Sequence, residues 1–188
     1  MRRSPRGVPS AASAVAAGAL WSTSSYRAVK ELVREFRPSV AHFHNIFPLV
    51  SPAAYDACHA AGVPVVQTLH NYRLVCAAGT LLRDGKVCEL CVGHAPWPAV
   101  RYACYRESRA ESLVMAASLG GHAAIGTWRS KVDAYIALTE FARRIFVRGG
   151  LPEERIHVRP NAVEEARGAV SRGSLCHLRR TAVPGEGR

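Results

Sequence analysis

The sequence predicts an α/β fold built on a parallel sheet, and three observations carry that reading. A β-branched and aromatic run, Ser39-Val-Ala-His-Phe-His44, is followed by a helix signal and then by a second run, Pro64-Val-Val-Gln-Thr-Leu69. A third apolar run, Val132 to Leu138, leads directly into a helical pattern. Each run gives way to polar residues at its carboxyl end, as buried parallel strands do at a functional edge. At 188 residues the chain has the length of one domain, since domains usually hold about 100–200 residues.

Taken in order, the elements begin between Ser24 and Phe36, where Tyr26, Val29, Leu32, Val33 and Phe36 recur at helical spacing. Ser24 is the expected N-cap, and Pro38 lies just beyond the end. The Ser39–His44 strand comes next, then a loop from Asn45 to Val50. Ser51-Pro52 supplies an N-cap and a proline at the first helical position, and Gly62 closes that helix after Ala61. With the strand Pro64–Leu69 this completes one βαβ unit, which requires a parallel pair.

From Tyr72 to Lys131 the periodicity weakens, and the stretch reads as a cysteine-rich irregular insertion followed by a helix over 106–119. The sheet resumes with Val132–Leu138. Thr139 is the expected cap of a helix from Glu140 to Arg148, ended by Gly149-Gly150. Arg155–Arg159 is a short fourth strand stopped by Pro160-Asn161. Beyond Val163 the apolar period collapses, so residues 164–188 read as a disordered tail and 1–20 as a disordered or fraying start.

Composition narrows the function classes. The hydrophobic fraction of 48% is that of a globular chain. No apolar run approaches the roughly 20 residues that span a bilayer, so no transmembrane segment is expected. The net charge of +11 comes from 25 Lys+Arg against 14 Asp+Glu, but only Lys30, Lys86 and Lys131 are lysines. That bias fits GC-rich coding, and without an RNA- or DNA-binding motif no specific nucleic-acid partner is expected. Arg2, Arg3 and Arg6 before Ala11–Leu20 imitate a secretory signal, yet the apolar part is mostly Ala with Ser interruptions. A cytoplasmic location is expected, with peripheral contact at the inner membrane face open to a basic surface.

In open parallel sheets ligands sit outside the carboxyl ends of the strands. The polar residues there are His42 to Asn45, His70-Asn71, and Thr139-Glu140 at a helix N-terminus. His44 and His70 close neighbouring strands, so their imidazoles are placed to converge on one crevice and orient a hydroxyl or a phosphate at neutral pH.

Four passages taken together resemble glycosyltransferase family 4, over roughly Trp21 to Val163. They are Pro-Ser-Val-Ala-His42-Phe-His44-Asn45, Gly62-Val-Pro-Val-Val-Gln-Thr-Leu-His70-Asn71-Tyr-Arg, Tyr135-Ile-Ala-Leu-Thr139-Glu-Phe-Ala-Arg143, and Val158-Arg-Pro-Asn161-Ala-Val163. The match is to the strand ends of the N-terminal, acceptor-side, Rossmann-like domain of a two-domain GT-B enzyme. The resemblance implies sugar transfer from a nucleotide-sugar to an acceptor hydroxyl, with retention at the anomeric carbon and no required metal.

On that resemblance His70 matches the active-site histidine facing the transferred sugar. His44, Asn45, Asn71, Thr139 and Glu140 are the expected substrate-binding residues, and the acceptor is lipid-linked or a polysaccharide. Pro160-Asn161 matches the point where the chain leaves for the second domain. The resemblance does not reach the family's first strand with its glycine-rich loop, nor the donor-binding domain with its diphosphate-holding cations. The GT-B N-terminal domain is therefore expected to be incomplete, the nucleotide-sugar held by a missing second domain, and the chain truncated and inactive alone.

The second constellation is Cys76, Cys88, Cys91 and Cys104, separated by eleven, two and twelve residues. Cys88-Glu-Leu-Cys91 is a CxxC knuckle, and with two flanking cysteines it has the ligand count of a tetrahedral thiolate site for structural zinc. Four reduced cysteines, or two disulfides in an exported protein, are the alternatives. A non-catalytic, zinc-stapled binding or interaction domain is accordingly the competing function. Tyr72, Trp97, Tyr102, Tyr105 and Trp128, in or beside the insertion, are expected to form its satellite core. Cys58 is expected to be buried.

Overall fold

The computed structural model describes residues 21–46 and 50–161. The readings for 1–20, for 164–188, and for Val163 and Cys176 lie outside the described residues. Helix α1 spans Thr23–Phe36, strand β1 Ala41–His44, helix α2 Ala53–Ala60 and strand β2 Val65–Leu69. The insertion holds β3 (Leu82–Arg83), β4 (Lys86–Val87), α3 (Trp97–Arg101), α4 (Arg109–Ala124) and α5 (Thr127–Ser130). Strand β5 (Ala134–Ala137), helix α6 (Glu140–Arg148), a 3₁₀ turn over Glu153–Arg155 and strand β6 (Ile156–Val158) complete the order.

Strands β1, β2, β5 and β6 form one wholly parallel sheet in that spatial order. The α/β expectation holds, and so does the resumption of the sheet after the insertion. Val65, at the start of β2, is fully buried, and its amide donates to Asp133 Oδ2 at 2.7 Å, fastening β2 to the entry of β5. Helix α2 covers one face of the β1–β2 pair. Its Tyr55, fully buried, meets Phe43 edge-on and donates a short hydrogen bond to Gln67 Oε1. Burial without ready charge release pushes the Tyr55 phenol well up. Cys58 is buried in the same layer, and burial pushes its thiol up to about 11.

Several boundaries differ from the sequence reading. Helix α1 is capped by Ser22, whose Oγ accepts from the Ser25 amide at 3.1 Å, two residues before the expected Ser24. Ser51 sits one position before the N-cap Pro52, but its Oγ accepts from the Ser22 amide at 2.9 Å and from the Ala53 amide at 3.3 Å. One hydroxyl thus ties the starts of two helices together. Helix α4 begins after a Ser108 cap instead of at Arg106 and continues through Gly120-Gly121 to Ala124.

The insertion is more regular than expected. Asp84-Gly85, both at positive φ, turn β3 into antiparallel β4, which is the left-handed pairing that two-residue hairpin turns require. Its aromatic residues do not form one cluster. Tyr105 packs on the satellite core of Ala77, Ala99, Met115 and Leu119. Tyr72 stacks on Phe146, 5.6 Å between centroids, and Trp128 is buried, both in the main core. Trp97 and Tyr102 are exposed, at 67% and 43%.

Candidate functional site

Side chains alternate faces along a strand, so His42 and His44 share one face of β1, opposite the buried Phe43. Thr68 and His70 likewise share a face of β2 and the residue just past its end. In register His42 lies beside Val66 and His44 beside Thr68, yet each histidine reaches two residues further along the partner. His42 Nε2 bonds Thr68 Oγ1 at 2.7 Å, and His44 Nδ1 bonds His70 Nε2 at 2.7 Å. The His44 and His70 rings also stack, with centroids 5.0 Å apart, and the His42 and His44 rings approach to 4.3 Å. A polar ladder therefore climbs from the half-buried sheet to an exposed edge.

One residue further out the asparagines repeat the pairing. Asn71 Nδ2 donates to Asn45 Oδ1 at 2.9 Å, while Asn71 Oδ1 accepts from the Arg73 amide at 3.0 Å. Asn45 holds φ at 45°, a left-handed conformation that asparagine tolerates better than most residues. A small cavity of about 20 Å³ opens here, lined among others by Asn45, Thr68, His70, Asn71 and Arg73.

Four of the six sequence-predicted substrate-side residues are thus brought together at the ends of β1 and β2 as two hydrogen-bonded pairs, His44 with His70 and Asn45 with Asn71. Thr139 and Glu140 stand at the same sheet edge after β5, the other neighbour of β2, but no hydrogen bond among the described residues joins them to either pair. Thr139 Oγ1 accepts from the Ala142 amide at 3.0 Å and is engaged as the cap of α6.

Thr68 and Arg73 are site-lining residues that the sequence reading passed over. Thr68 lies two residues before His70 and hence on its face. Arg73 spends its guanidinium inward, donating to the Ala77 carbonyl at 2.8 Å and the Ala78 carbonyl at 3.4 Å, with the Tyr105 ring 5.3 Å away. It pins the loop that leaves the strand.

Cys76, Cys88, Cys91 and Cys104 line a second cavity, and all four are free thiols. Burial pushes the Cys91 thiol up to about 11, helped by the charge of Cys76 and opposed by a hydrogen bond from the Ala99 backbone. Cys104 is raised too, chiefly by burial and then by Cys76. As they stand, no three His, Cys, Asp or Glu side chains among the described residues are arranged to hold a metal ion. Among the described residues no helix is long and apolar enough to cross a membrane.

Comparison with known proteins places the chain more firmly than its geometry does alone. A family model described as Glycosyltransferase Family 4 matches residues 2–167. No curated protein and no solved structure matches the chain.

Proposed function

Since the chain belongs to glycosyltransferase family 4, we propose that its exposed histidine edge is the acceptor-side wall of a site that transfers a sugar from a nucleotide-sugar to an acceptor hydroxyl with retention. The observation that supports this reading is the 2.7 Å bond between His44 Nδ1 and His70 Nε2 at the ends of adjoining parallel strands. That bond occupies Nε2 of His70 and leaves Nδ1 as the ring nitrogen for a sugar hydroxyl. His70 then orients the transferred sugar, and His44 holds the ring. Asn45 and Asn71, already bonded to each other, present amide groups suited to further hydroxyls.

Departure of a nucleoside diphosphate requires cations or backbone donors aimed at its developing charge. Arg73 is turned toward the loop carbonyls, so in this reading the diphosphate is held by groups outside the described residues, on a donor-binding domain that follows Pro160-Asn161. Residues 21–161 bind acceptor and do not turn over donor by themselves. Substrates of this kind include lipid-linked and polysaccharide acceptors, whose hydroxyls are displayed at a surface.

The test joins the chain through Pro160-Asn161 to the donor domain of a family 4 enzyme and offers a panel of nucleotide-hexoses. Nucleoside diphosphate release and the anomeric configuration of the product are followed by NMR. The fusion is expected to transfer with retention, and His70→Ala to lower kcat by roughly 10²–10³, as loss of one preorganised donor does elsewhere. An inverted product, or full activity in His70→Ala, overturns the proposal. A fusion that binds acceptor but turns over no donor leaves the non-catalytic binding domain in its place.

A further inference from the structure

Four thiols from separate stretches of the insertion meet at one cavity. Cys76 lies in the turn after β2, its amide donating to the Tyr72 carbonyl at 2.8 Å. Cys88 follows β4, its amide donating to the Leu81 carbonyl at 2.8 Å, so the hairpin itself delivers it. Cys91 closes the knuckle, two residues before Gly93 at φ 73°. Cys104 follows α3, its amide donating to the Ala99 carbonyl at 3.0 Å. The cavity they line measures about 20 Å³, the space of one water-sized occupant.

A cation already stands at this cavity. Arg83, another lining residue, lays its guanidinium over the Tyr102 ring at 3.7 Å from the centroid. Its Nη1 is buried and makes no hydrogen bond among the described residues. A buried N–H is ordinarily paired, so an orphan requires an explanation. Neutral thiols are weak acceptors, whereas thiolates accept strongly. Four cysteines in so small a space can all ionise only with a divalent cation among them.

We infer that Cys76, Cys88, Cys91 and Cys104 form a closed tetrathiolate site for zinc, with Arg83 outside it donating Nη1–H to a coordinated sulfur. Zinc displaces four thiol protons, and the resulting double negative charge is partly offset by the guanidinium. Zn–S distances of about 2.3 Å put the sulfurs roughly 3.8 Å apart. Among the described residues no three side chains already stand in that arrangement, so the thiols close on the ion from their places on the cavity wall. Outer donors of Arg83's kind orient and tune thiolate ligands.

The position gives the site a structural role. Cys76 lies six residues after His70, and the intervening loop carries Arg73. On the other side the knuckle is held to α6, where Glu89 Oε2 takes the Arg148 Nη2 at 2.6 Å. The ion therefore braces the loop that leaves the histidine edge against the body of the domain. Sugar transfer need not occur for this to hold, since metal content is read without turnover.

Mass-spectrometric metal analysis of the chain purified under reducing conditions without chelator is expected to give one zinc per chain. Replacement by Co²⁺ should produce thiolate-to-cobalt charge-transfer absorption and tetrahedral d–d bands. Alkylation should modify these four cysteines only after chelation. The double variant Cys88→Ser/Cys91→Ser is expected to lose the zinc, and Arg83→Gln to keep the stoichiometry while binding zinc roughly 10–100-fold more weakly. Should the double variant fail to fold, cobalt spectra and alkylation of the unaltered chain still decide. Stoichiometric iron, two disulfides by mass, or cysteines alkylated equally with and without chelator each overturn the proposal.

Discussion

At the edge of β1 and β2, the placement of single side chains follows from a period of two. His42 with His44, and Thr68 with His70, fall on one face, and Phe43 with Gln67 on the other. His44 and His70 were legible in the sequence because both close β-like runs at polar residues. Their diagonal pairing was not, since register depends on how the crossover through α2 sets β1 against β2. The opposite face has a testable consequence. Tyr55→Phe leaves Gln67 Oε1 without its buried donor while changing volume little. An unsatisfied buried acceptor costs about 1–3 kcal/mol. Urea unfolding of Tyr55→Phe should show a loss of that size with an unchanged slope, and a neutral result would mean that the carbonyl finds another partner.

Among elements, α6 was the easiest to read and the hairpin the hardest. Thr139 before Glu140 caps the start of α6, and Gly150, at φ 92°, stands past its end in a conformation that favours glycine. Strands β3 and β4 hold two residues each, with Leu82 and Val87 exposed. No alternation of apolar and polar residues exists to detect there. Only Asp84-Gly85 announced the turn, and it stood in a stretch without period. The reading of Thr139 as a substrate residue came from the same strand-end rule that found His70. At Thr139 the hydroxyl also satisfies an orphan amide as the cap of α6. Thr139→Ala is expected to cost about 1 kcal/mol, measured by urea unfolding, and Thr139→Ser to restore most of it. In the glycosyl-transfer fusion, Thr139→Ala should leave KM for the acceptor unchanged. A large rise in KM there would make Thr139 a substrate contact as well as a cap.

For the whole molecule, the open question is how a 60-residue insertion spanning 72–131 becomes part of a small α/β domain instead of an appendage. Composition and spacing announced the insertion but not its docking, because the contacts that seat it join residues about 60–75 positions apart, such as Glu89 with Arg148 and Val75 with Gly149. They converge on the last turn of α6 and the glycine after it. Gly93 approaches so closely that a Cβ there would lie 2.7 Å from the Arg148 carbonyl oxygen. A Cβ at Gly149 would fall 2.2 Å from Val75 Cγ1. Gly93 is unsuited as a probe because φ 73° strains any other residue. Gly149 has φ −75° and ψ −1°, which alanine adopts freely. Gly149→Ala therefore adds only a steric conflict at the seam, and overpacking of this kind costs typically 1–3 kcal/mol. Amide exchange over 72–104 should accelerate more than exchange in β2 and β5, since the wedge acts where the insertion meets α6. Val75→Ala removes the methyl groups that collide and is expected to recover part of the loss in the double variant, giving a coupling of the order found between touching side chains. Strict additivity of the two changes would mean that the insertion sits on the domain without pressing against it at this point.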